Sequence, residues 1–383
     1  MKDYKKLIVS PHIVTLEYIF LTIVWALTPN KVFKMMGIQK TYDLVMFLYL
    51  LLCLIFWELG IIFSKSFILK EELIIKIRKL PVKIVSLISL MAGLLLIINA
   101  IRNGMVLFSL NAFSQIEILR ASTMPGITTF TEFAYPGLIG YYYLYRYNKE
   151  NFKFTDKLII LFNILLIFYR TMYMARSNLL TVILIIFVVY TVKHEKIITL
   201  RKIVILGLSL VLFYIFFESF RTYQVAYQAR EYNPIEWGVL RFLQYLGSSY
   251  HYFINLSKLN FTPRYTQFIF AFIYDLLDLP KNWKALYSSD LYAPGLTVFT
   301  IFGEIYMSAK FFGVLYIFLI GFISNKLYIS FIKNRFVGNL LYPLLYVGLC
   351  LTFYVNWLTG GVNIVQYTGA VIIILFSQHF KKK

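Results

Sequence analysis

Residues 43–63 read DLVMFLYLLLCLIFWELGIIF, a run in which only Asp43 and Glu58 carry charge. A helix rises about 1.5 Å per residue, so a block of about 20 apolar residues covers the hydrocarbon thickness of a bilayer. Phe, Tyr, Ile and Leu dominate the block, which marks it as a membrane span rather than a buried core helix. Working outward, further blocks of this kind occupy about 11–28, 82–101, 127–145, 157–172, 177–192, 203–220, 296–323, 339–357 and 361–380. The whole chain agrees with them, with 60% hydrophobic and only 15% charged residues, where soluble domains carry about 25% charged. The expectation is an all-α, polytopic membrane protein with about ten transmembrane helices, residues 1–383 forming a single integral membrane domain.

Two blocks need comment. Lys2, Lys5 and Lys6 precede the first one in the manner of a secretion signal. Glu17 interrupts that run and no small-residue cleavage site follows, so it reads as an uncleaved first helix. The eighth block is longer than a span needs, which predicts a bent or interfacial start. Cys53 and Cys350 both fall inside spans, as small apolar packing residues. They provide no disulfide or metal framework.

Lys and Arg in the loops set the orientation. With the N-terminus in the cytoplasm and strict alternation, the inner segments hold 22 basic residues and the short outer loops hold 7. Both termini are therefore expected in the cytoplasm. The net charge of +20 is then mostly topology signal and attraction to anionic lipid, and it calls for no nucleic-acid partner.

The outer face carries the chemistry. Eight of the twelve arginines fall there on this topology: Arg102, Arg120, Arg170, Arg176, Arg221, Arg230, Arg241 and Arg264. Arginine grips phosphate in a bidentate fork and keeps its charge near lipid. The competing explanation is that span-end arginines snorkel to headgroups.

One long outer connection, 221–295, separates the seventh and eighth spans, and its aromatic composition argues against disorder. Within it, Asn233-Pro234-Ile235-Glu236 has an Asn cap, Pro at the first helical position and Glu at the third. That start predicts an amphipathic helix over 234–259, lying at the membrane interface with its apolar face down. Arg241, Gln244, Ser248, His251, Asn255 and Lys258 recur at spacings that share one face. The polar stripe either faces water, or Arg241 and His251 line a groove for a polar substrate. Asp275 and Asp278 sit three apart further along, but nothing of ligand character is spaced around them. No His/Cys cluster or Ser-His-Asp order stands out, so neither a metal nor a soluble-type active site is expected.

Two short stretches complete the picture. Tyr-Met-Ala-Arg-Ser-Asn-Leu-Leu, 173–180, opens a span with Arg176. Gly303-Glu304-Ile305-Tyr306, followed by Gly313, comes after the large loop. The architecture and these stretches resemble the oligosaccharide repeat-unit polymerases, also called O-antigen polymerases. The first is similar to that family's S-R-(small)-x-L, and the second to its G-E-x-Y-x-N-F-G-x-x-G. Here Ser308, Ala309 and Lys310 stand where the pattern has Asn-Phe-Gly.

The resemblance implies glycosyl transfer at the outer leaflet of a bacterial cell membrane. A growing glycan on undecaprenyl pyrophosphate moves onto the end sugar of a fresh lipid-linked unit, with no nucleotide, metal or other cofactor required. Membrane lipid, a chain-length regulator and a flippase are the other partners it implies. Arg176 and Arg221, with Arg170, Arg230 or Arg241, are the expected diphosphate-binding residues. Glu304 and His251 are the expected general bases for the acceptor hydroxyl. A lipid-linked oligosaccharide flippase and an O-antigen ligase are the alternatives in view, along with a purely structural role.

Overall fold

Asn233 places its side-chain oxygen 2.8 Å from the Glu236 N–H, and Pro234 follows as the first helical residue. Local signals of this kind set the boundaries of an all-helical chain. The computed structural model describes residues 7–35, 39–67, 78–105, 118–119, 121–124, 126–173, 177–193, 199–222, 232–258, 300–353, 358 and 360–378, with no strand among them. Its α-helices are α1 (Ile13–Leu27), α2 (Asn30–Met35), α3 (Leu44–Ser66), α4 (Lys79–Arg102), α5 (Ala134–Tyr147), α6 (Phe154–Tyr173) and α7 (Ser177–Lys193). After these come α8 (Leu200–Thr222), α9 (Pro234–Phe253), α10 (Ile301–Ala309), α11 (Gly313–Ile332), α12 (Phe336–Leu349) and α13 (Gly361–Gln378). A 3-10 turn, Thr128–Phe133, leads into α5.

Among the described residues, three helical stretches are long and apolar enough to cross a membrane: α3, α4 and the stretch Ile301–Ile332. The last is not one continuous rod. Its first nine residues form α10, a 3-10 turn covers Lys310–Phe312, and α11 follows. The long eighth block therefore does begin with a separate segment. Shorter apolar helices include α1, α12 and most of α13. On α3 the exposed face is apolar, with Leu48, Leu51, Ile55, Ile62 and Phe63 all more than half exposed. In water such a face would be a liability, whereas in lipid it is ordinary solvation.

The chain divides into two compact units. Unit 1 comprises 1–66, 190–325 and 349–357, and unit 2 comprises 67–189, 326–348 and 358–383. In unit 1, α3 and α11 cross closely through glycines. A Cβ on Gly321 would lie 2.7 Å from the Trp57 carbonyl oxygen, and Gly60 similarly meets the Phe318 backbone. Small residues let membrane helices approach until their backbones touch, where van der Waals packing replaces the missing hydrophobic drive. Asn325 fastens the same crossing by donating to the Ile61 carbonyl at 3.1 Å and to Ser64 Oγ.

Also in unit 1, the turn after α12 ties several elements together. The Thr352 carbonyl accepts from the Ile301 N–H at 2.8 Å and from the Tyr18 hydroxyl at 3.2 Å. The Thr352 hydroxyl donates to Glu17, and Ser249 Oγ donates to the Phe353 carbonyl at 2.8 Å. The acid that interrupts the first apolar run thus receives a partner, as an acid among apolar helices requires. In unit 2 the residues Leu96, Ala100, Met105 and Leu119 form a buried apolar cluster. Asn163 of α6 donates to the Ser86 carbonyl of α4 at 3.3 Å.

Candidate functional site

Unit 2 holds a buried charge pair. Glu132 lies on the 3-10 turn and is 2% exposed, and Arg170 lies in the last turn of α6 at 9% exposed. Arg170 Nη2 donates to Glu132 Oε1, and Gln366 Nε2 of α13 donates to Oε2 at 2.7 Å. Both carboxylate oxygens are engaged. Arg170 Nε and Nη1, however, are buried with no hydrogen-bond partner. Guanidinium N–H groups are strong donors, and leaving buried ones unmet costs about 1–3 kcal/mol or more each. The Tyr135 hydroxyl lies 3.4 Å from Asn178 Oδ1 at the start of α7. The end of unit 2 where α6 finishes and α5, α7 and α13 begin is therefore polar.

Glu132 was not singled out by sequence, though a signal existed. It is the one acid inside the apolar block 127–145, and a lone intramembrane acid asks for a counter-charge. Arg170 closes the next apolar block, and sequence alone could not show that the two meet.

Unit 1 carries the Gly303-Glu304-Ile305-Tyr306 stretch on α10. Thr300 caps this helix, its hydroxyl oxygen accepting from the Gly303 N–H at 3.2 Å. Residues 301–308 are all buried, Glu304 at 7% exposed. The helix ends because Lys310 adopts φ 49° and ψ −136°. That backbone conformation is open to glycine and strained for residues with a Cβ, at a cost of about 1–3 kcal/mol. Lys310 stands where the polymerase pattern has its glycine. Three residues on, Gly313 is required by close approach, since a Cβ there would lie 3.0 Å from the Tyr49 hydroxyl and against Ile305.

The α9 helix forms from its predicted cap but ends at Phe253, and Leu256–Lys258 follow as a 3-10 turn. The expectation of a polar stripe facing water needs correction. Gln244 is 3% exposed, Ser248 and His251 are 0% and Asn255 is 1%, whereas Ile235 is 71% exposed. Protein encloses Gln244, Ser248, His251 and Asn255, while Lys258 stays exposed. The stripe bonds internally only in part, because Ser248 Oγ and His251 Nε2 are buried without a hydrogen-bond partner. Asn255 Nδ2 donates to the Thr41 and His251 carbonyls, both at 2.9 Å, and Arg241 Nη1 donates to Gln244 Oε1 at 2.8 Å. The Arg241 guanidinium also stacks near Tyr245, 5.2 Å from its ring centroid.

His251 Nδ1 receives the Trp25 indole N–H over a long 3.5 Å, and Phe33 packs with its ring centroid 5.0 Å away. A neutral imidazole that accepts at Nδ1 carries its proton on Nε2. In this arrangement Nε2 carries the proton and is buried without an acceptor, which suits a base poorly. Burial, with Lys258 and Lys40 adding like charge, pushes the imidazole down to about 4. An unfolded histidine titrates near 6.5. Between those values the unfolded chain binds the extra proton, so stability falls as pH drops from about 6.5 to 4. The loss is expected to approach about 3 kcal/mol at the acid end. Denaturation of wild type and His251→Gln across that window checks this, because the substitution should flatten the slope.

The other expected site residues divide as follows. Arg176 and Arg230 lie outside the described residues, as do Asp275 and Asp278. Arg221 is placed on the last turn of α8 by its backbone, and its side chain is not described. Arg170 belongs to unit 2, while Arg241, His251 and Glu304 belong to unit 1. Among the described residues, no group of three or more His, Cys, Asp or Glu side chains could hold a metal ion. The chain matches no protein-family model, no curated protein and no solved structure.

Proposed function

We propose that this chain is an oligosaccharide repeat-unit polymerase of a bacterial cell membrane, with ten spans and both termini in the cytoplasm. The observation that carries this reading is the backbone of 301–313. The G-E-x-Y stretch is a buried helix of its own, ended by a glycine-type turn at the position of the pattern's glycine.

In the proposed reaction, an acceptor hydroxyl attacks the anomeric carbon of a glycan held on undecaprenyl pyrophosphate. A C–O bond forms there, the bond to the phosphate oxygen breaks, and the lipid pyrophosphate leaves with the electron pair. Glu304 takes the hydroxyl proton. Arginines stabilise the negative charge that grows on the leaving group. The candidates for this role are Arg170, Arg176, Arg221, Arg230 and Arg241. The activated lipid supplies the energy, so the reaction uses no nucleotide. A flippase delivers the substrate, and a chain-length regulator acts on the product.

The glycan size ladder from cells lacking this chain tests the proposal. Single repeat units on the lipid are the expected result. Long chains left on the carrier would instead indicate a ligase, and build-up on the cytoplasmic side a flippase. An unchanged ladder would overturn the proposal.

A further inference from the structure

Lys310 combines three features. Its backbone sits at φ 49°, ψ −136°, far from the left-handed helical region near ψ +45° that other residues with a Cβ occasionally use. Its ammonium is held over the Tyr306 ring, 4.9 Å from the centroid, within a cluster where Tyr306 also meets Tyr49 at 4.9 Å and Phe311 at 5.9 Å. Beside it, Phe311 and Phe312 are 45% and 77% exposed. A lysine in a conformation that suits glycine carries a standing penalty, and such strain persists where the side chain is needed. Here the side chain offers a cation, half-buried beside an exposed apolar edge. That pairing fits an amphiphile with an anionic head, because the rings receive its hydrocarbon while the ammonium receives its charge.

We propose that Lys310 binds the phosphoryl group of the lipid-linked substrate, and that this contact is why a lysine occupies a backbone position made for glycine. The contact deepens the polymerase reading and rests on it for the identity of the lipid. It also places a phosphate-binding cation six residues from Glu304 on the chain. Sequence comparison with the polymerase pattern marks Lys310 only as a departure, and its backbone conformation gives that departure a use.

The test uses full-length protein in detergent micelles, as wild type, Lys310→Gly, Lys310→Arg and Lys310→Ala. Thermal unfolding reads the strain. Retention of undecaprenyl phosphate, and separately of phosphatidylglycerol, in native mass spectrometry reads the contact. Lys310→Gly is expected to unfold a few degrees higher than wild type, yet to retain about tenfold less undecaprenyl phosphate, the loss of one charge-assisted hydrogen bond. Lys310→Ala should bind as weakly without the gain in stability, and Lys310→Arg should restore most of the binding.

Undiminished undecaprenyl phosphate binding by Lys310→Gly would overturn the proposal, as would the absence of any stabilisation. Loss confined to phosphatidylglycerol would assign the cation to bulk lipid and also overturn it. Should cells lacking the chain still make long glycans, the polymerase reading falls while the binding comparison still decides the role of Lys310.

Discussion

Glu132→Gln and Arg170→Met are each expected to destabilise the protein by about 3–5 kcal/mol, and the double variant to recover most of that loss. The pair is almost wholly buried, and each partner shields the other from an apolar surrounding. Removing one charge strands its partner, while removing both leaves neutral groups that the interior tolerates. Gln at 132 can still accept from Gln366, whose Nε2 lies 2.7 Å from Oε2, so the double variant loses mainly charge. Equilibrium unfolding in mixed micelles supplies the three values. Simple additivity of the two single losses would show that the groups do not act as a pair. The double variant also separates stability from function. If Arg170 grips lipid diphosphate, glycan polymerisation stays lost in a protein whose stability has returned.

If the chain is a polymerase with Glu304 as its base, replacing Glu304 by Gln is expected to cut polymer formation by about 10²–10⁴-fold, the usual contribution of a positioned general base, while membrane levels stay unchanged. The amide keeps the size and the hydrogen-bonding capacity of the side chain but cannot take a proton. Glu304→Asp keeps the carboxylate and moves it by one methylene, so it should fall between wild type and the amide. Chain-length ladders from cells expressing each variant, with protein quantified in the membrane fraction, provide the measurement. A full ladder from Glu304→Gln would assign the buried carboxylate to packing of α10 and return the search for the base to other residues.

The sequence reached several of these features because local physics encodes them. Asn233 and Pro234 fix the start of α9 within a single turn, by satisfying N–H groups that a helix leaves unpaired. The excessive length of the eighth block announced the break before Gly313. Glu17 stood out as an acid in an apolar run, although only the structure shows Thr352 as its partner. Glu132 was legible by the same rule and passed unnoticed, since the arginine that answers it lies 38 residues away.

The α9 stripe shows where such signals end. Periodicity established that Gln244, Ser248, His251 and Asn255 share a face. It could not say whether that face turns toward water or into the protein. In a soluble protein, hydrophobicity breaks the tie by sending the polar side outward. Between lipid and a protein interior, both apolar, that tie stays open, and hydrogen bonds inside the fold can hold much of a polar face, as they do for Gln244 and Asn255 here.

The sequence by itself therefore determined the helical character, the apolar blocks, the cap of α9 and the separate segment ahead of α11, all set by composition and by interactions within a few residues. Only the tertiary structure decided which polar face is buried, that Arg170 and Gln366 both answer Glu132, and that Lys310 holds a conformation suited to glycine. Those outcomes depend on partners distant along the chain, whose approach is fixed by helix packing and not by local preference.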